Sequence, residues 1–351
     1  MQFFDDSLLP ENQAPLVIQV APYAPSFLPR DSDDIPVSMA EQVQKAVDCW
    51  NAGATLLHVH VREPDGTGSK NLDMFNEMLD RLRSAVPGMI LQVGGSISFA
   101  PKDEGQEALW LSDDTRHMLA DLKPAPDQVT LAVNTNQMNV MELITEDDAK
   151  GTSMWEPGYR EAYTNMYYEA GPVFMKEHIK RLTAAGIQTH FMIGCTKDLD
   201  TVERMVRRGD YMGPLVLNWV AIGGGADGPN PRNLMEFINR LPQNAVFTVE
   251  GLMRSVYPLC AMGIAMGCHV RVGQEDNLWG RKGERATSVQ QIERMVRISE
   301  ELFRPVATGE QARKIYKLGE FYSSIDETLE KNGWLPNRAA ASANSRVLEA
   351  A

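Results

Sequence analysis

Residues Ser38–Val61 read SMAEQVQKAVDCWNAGATLLHVHV. The first part, Ser38–Ala52, has apolar residues at helical spacing, and the Ala-Gly pair at 52–53 is typical of a helix C-cap before a strand. The run Thr55–Val61 is short, apolar and partly β-branched, which predicts a buried strand. This stretch therefore predicts a helix followed by a parallel strand, and the same unit recurs along the chain.

Eight such strands are predicted in the 351-residue chain. They are Leu16–Ala21, Thr55–Val61, Met89–Val93, Gln128–Ala132, Gln188–Ile193, Pro214–Trp219, Val246–Glu250 and His269–Val272. Helices are predicted at Ser38–Ala52, Asn71–Ala85, Ser112–Leu122, Val173–Ala185, Leu199–Gly209, Pro231–Leu241, Ser255–Met266 and Ser288–Leu302. Eight successive units without an evident break in strand order favour one closed (β/α)₈ domain, a TIM barrel, over a doubly wound sheet.

Two stretches fall outside this repeat. Residues Asn136–Pro172 follow the fourth strand, and Tyr159, Tyr163 and Tyr167 share one face there if the segment is helical. We interpret this segment as a packed helical insertion, with a substrate lid as the alternative. The last residues, Ala339–Ala351, are rich in Ala, Ser and Asn, and we expect a flexible tail or an oligomer contact.

Composition excludes several classes of protein. The chain is 43% hydrophobic and 23% charged, as in an ordinary globular protein, and no apolar run approaches the ~18 residues of a membrane span. A net charge of −13 disfavours binding to nucleic acid or to an anionic membrane. The acidic N-terminus argues against a secretory signal. The four cysteines lack CxxC spacing, which argues against a disulfide framework and a thiolate zinc site. We therefore expect a cytoplasmic protein with small-molecule partners.

Two histidines mark the second predicted strand, in the run LHVHVR at residues 57–62. Side chains at i and i+2 of a strand project to the same face, so His58 and His60 can converge at the C-terminal mouth of a barrel. Imidazoles suit zinc and similar divalent ions, which at a catalytic centre also need a third protein ligand and open positions. The alternative is a pair of histidines that are hydrogen-bonded within a polar barrel core.

A second polar run, HVRVGQEDN at residues 269–277, leads out of the eighth predicted strand. In a closed barrel, strand eight neighbours strand one, and strand two is only one strand further away. Glu275 and Asp276 then allow divided labour, in which one carboxylate binds a metal and the other, oriented by Arg271, acts as a base. A solvated turn with a helix cap is the alternative.

Together, the two polar runs and the eight units between them resemble the β-keto acid cleavage enzymes, over roughly Leu16 to Leu318. The resemblance implies a zinc-bound barrel, or one with another divalent metal, that converts a β-keto acid and acetyl-CoA into acetoacetate and an acyl-CoA by a retro-Claisen route. It also implies a homotetramer. By position it implies metal ligation by His58, His60 and Glu275, proton removal by Arg271 and Asp276, and substrate binding by Thr135, Gly94, Gly95, Ser96 and Arg62.

Three departures from the family pattern bear on the substrate. The Gly-Gly-Ser order at residues 94–96 differs from the usual Ser/Thr-Gly-Gly. Pro25 and Met192 stand where members that act on an amino-bearing substrate carry acids, so a buried ammonium group would lack a counter-ion. We therefore predict an uncharged acyl tail. Glu250 stands where a neutral residue is expected, and we favour an ion pair with Arg254 over substrate binding or metal ligation.

The phosphates of CoA would need donors outside the barrel. The loop GGGADG at residues 223–228 is a candidate to present backbone amides to a phosphate, but it lacks a G-x-x-x-x-G-K signature, so a flexible loop is the simpler interpretation. Arg281, Lys282 and Arg285 are further candidates, unless they are only solvated surface.

Two other functions are compatible with these residues. Two histidines and two carboxylates can also activate water, which would make the chain a metal-dependent hydrolase. A barrel can also lose catalysis and only bind a metabolite or a metal, because a fold does not determine a function. The presence of Arg271, Glu275 and Asp276 together favours an enzyme.

Overall fold

The computed structural model describes residues 6–338, except residues 25, 67, 70, 96–99, 102–107 and 110–115. Within this part of the chain, eight parallel strands close into a barrel. In chain order they are β1 (Ile18–Val20), β2 (Leu56–Val59), β3 (Ile90–Val93), β4 (Gln128–Ala132), β5 (Gln188–Ile193), β6 (Val216–Ala221), β7 (Val246–Gly251) and β8 (His269–Val272). Each strand pairs with the next along the chain, and β8 pairs with β1, so the predicted TIM barrel is confirmed.

Helices follow most of the strands, and seven of the described helices lie close to predicted bounds. They are α1 (Met39–Asn51), α2 (Leu72–Ala85), α3 (Glu146–Ala149), α4 (Pro157–Thr164), α5 (Pro172–Ala184), α6 (Thr196–Arg207), α7 (Pro231–Arg240), α8 (Val256–Ala265), α9 (Ser288–Glu301), α10 (Gly309–Ile315) and α11 (Ile325–Asn332). The predicted helix 112–122 is described only from residue 116, and Met118–Asp121 there is a 3₁₀ turn. None of the described helices is both long and apolar enough to cross a membrane.

The helix boundaries follow from local hydrogen bonds. Ser38 caps α1, because its side chain accepts the Glu41 N–H while the Glu41 carboxylate accepts the Ser38 N–H. After α1, Gly53 has a φ of 113°, which a residue with a side chain rarely adopts, and the chain turns there into β2. The unit quoted above is therefore a capped helix that leads directly into a barrel strand.

The insertion after β4 mixes helices with strands. Asn136–Met138 and Met166–Tyr168 pair antiparallel, and a small sheet continues from them to Ala108–Leu109 and Ala100–Pro101. Tyr163 lies on α4, whereas Tyr167 lies in a strand in which burial alternates, so the prediction of one helical face for the tyrosines was wrong. The spacing of four residues between the tyrosines did not reveal that the helix ends at Thr164.

The end of the barrel opposite the mouth is closed by the segment around α10. Tyr316, which follows α10, is fully buried against Leu56, Ile90 and the other residues at the start of their strands. Its hydroxyl lies 2.8 Å from Thr248 Oγ1 inside the barrel. The C-terminal elements are therefore part of the barrel core.

Asp127 ties three elements together at this closed end. Its carboxylate accepts hydrogen bonds from Arg83 (2.7 Å), Arg313 (2.8 Å) and the backbone N–H of Leu91 (2.8 Å). Burial alone would raise the pKa of this carboxyl, but the hydrogen bonds from Arg313 and Arg83 hold the pKa below its usual value. The ionised form of Asp127 therefore stabilises the fold.

We expect Asp127→Asn to lower the free energy of unfolding by about 1–3 kcal/mol at pH 7, because two arginines lose a buried anion. Because the folded pKa lies below the unfolded pKa, this stabilisation is complete above the unfolded pKa and disappears as pH falls through the folded one. Urea unfolding of both proteins from pH 7 to pH 3 should show the difference shrinking.

Asp147→Asn is the matched control, since Asp147 pairs with Lys282 on the surface and should contribute little to stability. A difference between wild type and Asp127→Asn that is independent of pH would contradict the role given to the carboxylate.

Candidate active site and metal centre

Three predicted ligands meet at the C-terminal mouth of the barrel. His58 lies in β2, His60 follows β2, and Glu275 follows β8. The two Nε2 atoms of the histidines are 3.0 Å apart, and Glu275 places Oε1 3.5 Å from His58 Nε2 and Oε2 3.6 Å from His60 Nε2. Both histidines are buried and Glu275 is nearly so. The structure thus brings these three side chains together as one potential ligand cluster.

The protonation of this cluster suits a divalent cation. Gln92 Oε1 lies 2.7 Å from His58 Nδ1, and an amide oxygen only accepts, so Nδ1 carries the proton and Nε2 presents a lone pair. Burial lowers the pKa of His58 well below its usual value, which keeps the ring neutral. Oε2 of Glu275 is buried and has no hydrogen-bond partner within the described part of the chain. Two imidazoles and one carboxylate are the donor set of several catalytic zinc sites. The residues therefore fit such a metal.

Glycine is required directly beside the histidines. A Cβ on Gly94 would lie 2.4 Å from His60 Cε1 and 2.6 Å from His60 Nε2. A Cβ on Gly95 would lie 2.3 Å from the carbonyl oxygen of Thr130 on β4. Both glycines line the cavity, their nearest contacts are these protein atoms, and their substrate binding stays a prediction. Ser96 lies outside the described residues.

A turn after β8 brings Glu275 to the histidines. Gly273 has a φ of 132°, and a Cβ there would lie 2.4 Å from the carbonyl oxygen of Ala21. Two residues later, the N–H of Glu275 donates to that same carbonyl at 3.0 Å. The chain is therefore fastened to the end of β1, beside β2.

Arg271 and Asp276 form the predicted pair. Arg271 donates through Nε to Asp276 Oδ2 and through Nη2 to Asp276 Oδ1, both at 2.9 Å. The Nη2 group also donates to Glu275 Oε1 at 2.7 Å. Burial raises the pKa of Asp276 to about 6, although the neighbouring Arg271 acts in the opposite direction. The guanidinium holds Asp276 in a bidentate geometry next to the ligand cluster.

Glu250 belongs to the same buried network. It accepts a hydrogen bond from Asn218 and lies 3.4 Å from Nε of Arg271. Burial raises the pKa of Glu250 well above its usual value. The predicted ion pair with Arg254 was wrong, because Arg254 donates to Asp148 of the insertion at 2.8 Å. Glu250 points into the barrel, whereas Arg254 points towards α3.

A cavity opens above these residues. Its floor is polar and consists of His58, Thr130, Glu250, Arg271, Glu275 and Asp276. Its walls are mainly apolar and include Phe27, Met138, Met154, Met166, Met192 and Leu252. The insertion therefore forms part of the cavity wall, beyond the packing role first assigned to it.

A sequence profile of the family described as beta-keto acid cleavage enzyme matches residues 15–318. The chain belongs to this family. Its predicted resemblance is thereby confirmed over most of the barrel, including both polar runs.

Relatives within the family are named for different activities. The 3-keto-5-aminohexanoate cleavage enzyme of Acetoanaerobium sticklandii is 29% identical over 301 residues, which cover 86% of this chain and 97% of the relative. The 3-oxoadipate:acetyl-CoA acetyltransferase of Cupriavidus necator is 28% identical over 313 residues, covering 87% and 95%. The 3-dehydrocarnitine:acetyl-CoA trimethylamine transferase of Rhizobium meliloti is 26% identical over 300 residues, covering 82% and 91%.

A solved structure shows the same fold. The apo form of ObcA superposes with a TM-score of 0.59 and 14% sequence identity, over 82% of this chain and 66% of the ObcA chain. At this identity the likeness concerns the fold alone.

Arg62, which was predicted to bind substrate, makes its described hydrogen bonds within the protein. The buried guanidinium of Arg62 donates to the backbone carbonyls of Tyr23, Ala24, Phe27 and Gly66. It is not among the residues that line the cavity. In this structure Arg62 therefore organises the loop after β1, and its role in substrate binding stays a prediction.

Thr135 is a second predicted substrate-binding residue whose role stays a prediction. Its side chain is exposed, its hydroxyl accepts the N–H of Ala170 at 3.1 Å, and it does not line the cavity. The hydroxyl that the structure places on the cavity floor belongs to Thr130, five residues earlier on β4. Its Oγ1 accepts a hydrogen bond from Gly95.

The glycine-rich loop after β6 packs tightly against the insertion. The N–H of Gly225 donates to the carbonyl of Gln137 at 2.7 Å, and the N–H of Gly224 donates to Glu142 at 3.3 Å. A Cβ on Gly224 would lie 2.4 Å from the backbone nitrogen of Asn139. These glycines therefore allow close approach of two backbones, and their amides already have partners.

Two buried polar residues were missed by the sequence analysis. Gln92 contacts His58 directly, and Asn218 contacts Glu250. A signal was available, because each is a polar residue within a predicted barrel strand.

We expect the wild-type protein to hold about one divalent metal per chain, and His58→Ala or His60→Ala to lose it, because a site of three ligands reduced to two binds poorly. Glu275→Gln should bind metal weakly. Glu250→Gln is the matched control, since it neutralises another buried carboxylate of the same cavity floor and should retain metal. Elemental analysis after dialysis measures all four variants, and loss of metal from Glu250→Gln but not from Glu275→Gln would make Glu250 the third ligand.

Proposed function

We propose that this chain condenses a β-keto acid with acetyl-CoA and releases acetoacetate and an acyl-CoA, with zinc or another divalent metal bound by His58, His60 and Glu275. Family membership and relatives named as acetyl-CoA-dependent transferases support the reaction type. The observation that carries the proposal is the bidentate Arg271–Asp276 pair beside the ligand cluster on the floor of one cavity.

Asp276 is the proposed base. It would remove a proton from the carbon between the keto and carboxylate groups of the substrate, a step that creates an enolate. When bound, the metal supplies Lewis-acid stabilisation of the negative charge on the keto oxygen. Arg271 keeps the carboxylate of Asp276 oriented, and its Nη1 is buried at the cavity without a hydrogen-bond partner among the described residues. That donor is suited to an oxygen atom of the substrate.

The remaining steps need no nucleophile from the protein. The enolate carbon attacks the thioester carbonyl of acetyl-CoA, CoA is transferred to the original keto carbon within the adduct, and a retro-Claisen cleavage gives both products. All four cysteines are buried, and burial raises the pKa of each thiol. None of these four thiols lines the cavity, which supports chemistry on substrate atoms alone.

The Asp276→Asn variant should fold and retain metal, but its turnover should fall by about 10²–10⁴-fold, because the amide keeps the shape and removes the base. The assay follows acetoacetate formation from acetyl-CoA and a β-keto acid. Asp148→Asn is the matched control, since it removes another buried carboxylate that pairs with an arginine, outside the cavity. Near-normal turnover by Asp276→Asn would place the base elsewhere.

The acyl tail of the substrate is proposed to be uncharged. Met192 lines the cavity, and the walls that surround it are mainly apolar. Pro25 lies outside the described residues, but its neighbours Ser26 and Phe27 line the same cavity. An ammonium group in these surroundings would lose its hydration without gaining a counter-ion.

We expect kcat/KM for neutral β-keto acids to exceed that for 3-keto-5-aminohexanoate by about 100-fold, since an unpaired buried charge costs about 3 kcal/mol. Met192→Glu should narrow this gap by supplying an anion, whereas the neutral control Met192→Gln should leave it unchanged. If wild type prefers the amino substrate, Glu250 is the first residue to test as its counter-ion.

A homotetramer and a cytoplasmic location also stay predictions from the family resemblance and the composition.

A further inference from the structure

Four glutamines cross the interior of the barrel in one hydrogen-bonded chain. Gln19 on β1, Gln92 on β3, Gln128 on β4 and Gln188 on β5 are each at most 2% exposed. Gln128 Nε2 donates to Gln188 Oε1 at 2.6 Å, Gln92 Nε2 to Gln128 Oε1 at 3.0 Å, and Gln19 Nε2 to Gln92 Oε1 at 2.9 Å. The register between the strands places these glutamines side by side, because Gln92 pairs with Gln128 and Gln128 pairs with Gln188.

The hydrogen bonds at the Gln188 end of the glutamine chain determine which glutamine donates and which accepts. Gln188 Nε2 lies 2.9 Å from the carbonyl oxygen of Tyr316 and 3.3 Å from that of Lys317. Carbonyl oxygens only accept hydrogen bonds, so Gln188 must turn its NH₂ group towards them and its oxygen towards Gln128. Gln128 must then direct its own NH₂ group to that oxygen, and the same requirement passes to the next glutamine.

At the other end, the same order of donors and acceptors extends to His58 of the ligand cluster. Gln92 directs its NH₂ group to Gln128, so its oxygen is left for Gln19 and for Nδ1 of His58, which lies 2.7 Å away. Gln19 imposes no direction, because its own oxygen has no hydrogen-bond partner within the described residues. The anchor is therefore the backbone carbonyl of Tyr316 at the closed end of the barrel.

We propose that the Tyr316 carbonyl, acting through Gln188, Gln128 and Gln92, sets the tautomer of His58. The proton is held on Nδ1, and the lone pair of Nε2 is directed towards His60 and Glu275. Gln92 is thus a positioning residue, and Gln128 and Gln188 act through it. The inference rests on the proposed function only in giving this lone pair a metal to bind, and outer-shell partners of this kind change metal affinity by about 10–100-fold.

Gln128 and Gln19 separate this proposal from a purely structural role. Each is a buried glutamine inside the barrel, but only Gln128 lies between the Tyr316 carbonyl and His58 in the hydrogen-bonded chain. Without Gln128, Gln92 can reverse its amide and present an N–H to Nδ1, which favours the Nε2–H tautomer. Without Gln19, Gln92 keeps its orientation and still accepts from His58.

The test is ¹⁵N NMR of metal-free protein labelled at histidine nitrogens, where two-bond ¹H–¹⁵N correlations identify the tautomer and the His58→Asn variant assigns the signal. Wild type and the control Gln19→Met should show His58 protonated at Nδ1. Gln92→Met and Gln128→Met should shift it towards Nε2–H. In competition for zinc, these two variants should bind about 10–100-fold more weakly than wild type, and Gln19→Met should not.

A His58 protonated at Nε2 in wild type would overturn the proposal even if none of the glutamine variants folds. Equal effects of Gln19→Met and Gln128→Met, or none from either, would also overturn it. Because the tautomer is measured without metal or substrate, an Nδ1-protonated His58 in a protein without transferase activity would support this inference and reject the proposed function.

Discussion

The pairing of β8 with β1 is the interaction on which the site depends. Its register places Arg271 opposite Gln19 and Val272 opposite Val20, so the chain leaves β8 level with the end of β1. The turn that follows is fastened to β1 by the hydrogen bond from the Glu275 N–H to the carbonyl of Ala21. Since β1 also pairs with β2, a carboxylate from the last strand reaches histidines from the second. An open sheet would leave these groups at opposite edges.

Closure of the barrel also brings charged groups together, and their surroundings then give Glu250 and Glu275 different protonation states. One buried guanidinium, that of Arg271, lies among Glu250, Glu275 and Asp276. Burial raises the pKa of Glu250 well above its usual value, which favours a neutral carboxyl. Burial acts on Glu275 as well, but Arg271 and the histidines hold its pKa well below the usual value. Glu275, the acid within the ligand cluster, thus stays an anion, as a metal ligand must.

Periodicity predicted the architecture because barrel strands are short, buried and separated by amphipathic helices. The bounds of β4, β5 and β8 match the prediction residue for residue, and the i, i+2 spacing identified His58 and His60 as neighbours. The partners of Arg62 depend on the path of a loop, which no local pattern specifies. The glutamine chain needs the register between strands, so isolated glutamines gave no indication of it.

The most direct test of the account supplies acetyl-CoA labelled with ¹³C at both acetyl carbons, together with an unlabelled β-keto acid. In the proposed reaction the acetyl group becomes the methyl ketone half of acetoacetate, while the acyl-CoA takes its acyl carbons from the keto acid. NMR and mass spectrometry should therefore find both ¹³C atoms at C3 and C4 of acetoacetate and none in the acyl group of the new CoA ester. Cleavage of the keto acid without acetyl-CoA would contradict the account and indicate hydrolysis instead. Acetoacetate that carries no label would also contradict it.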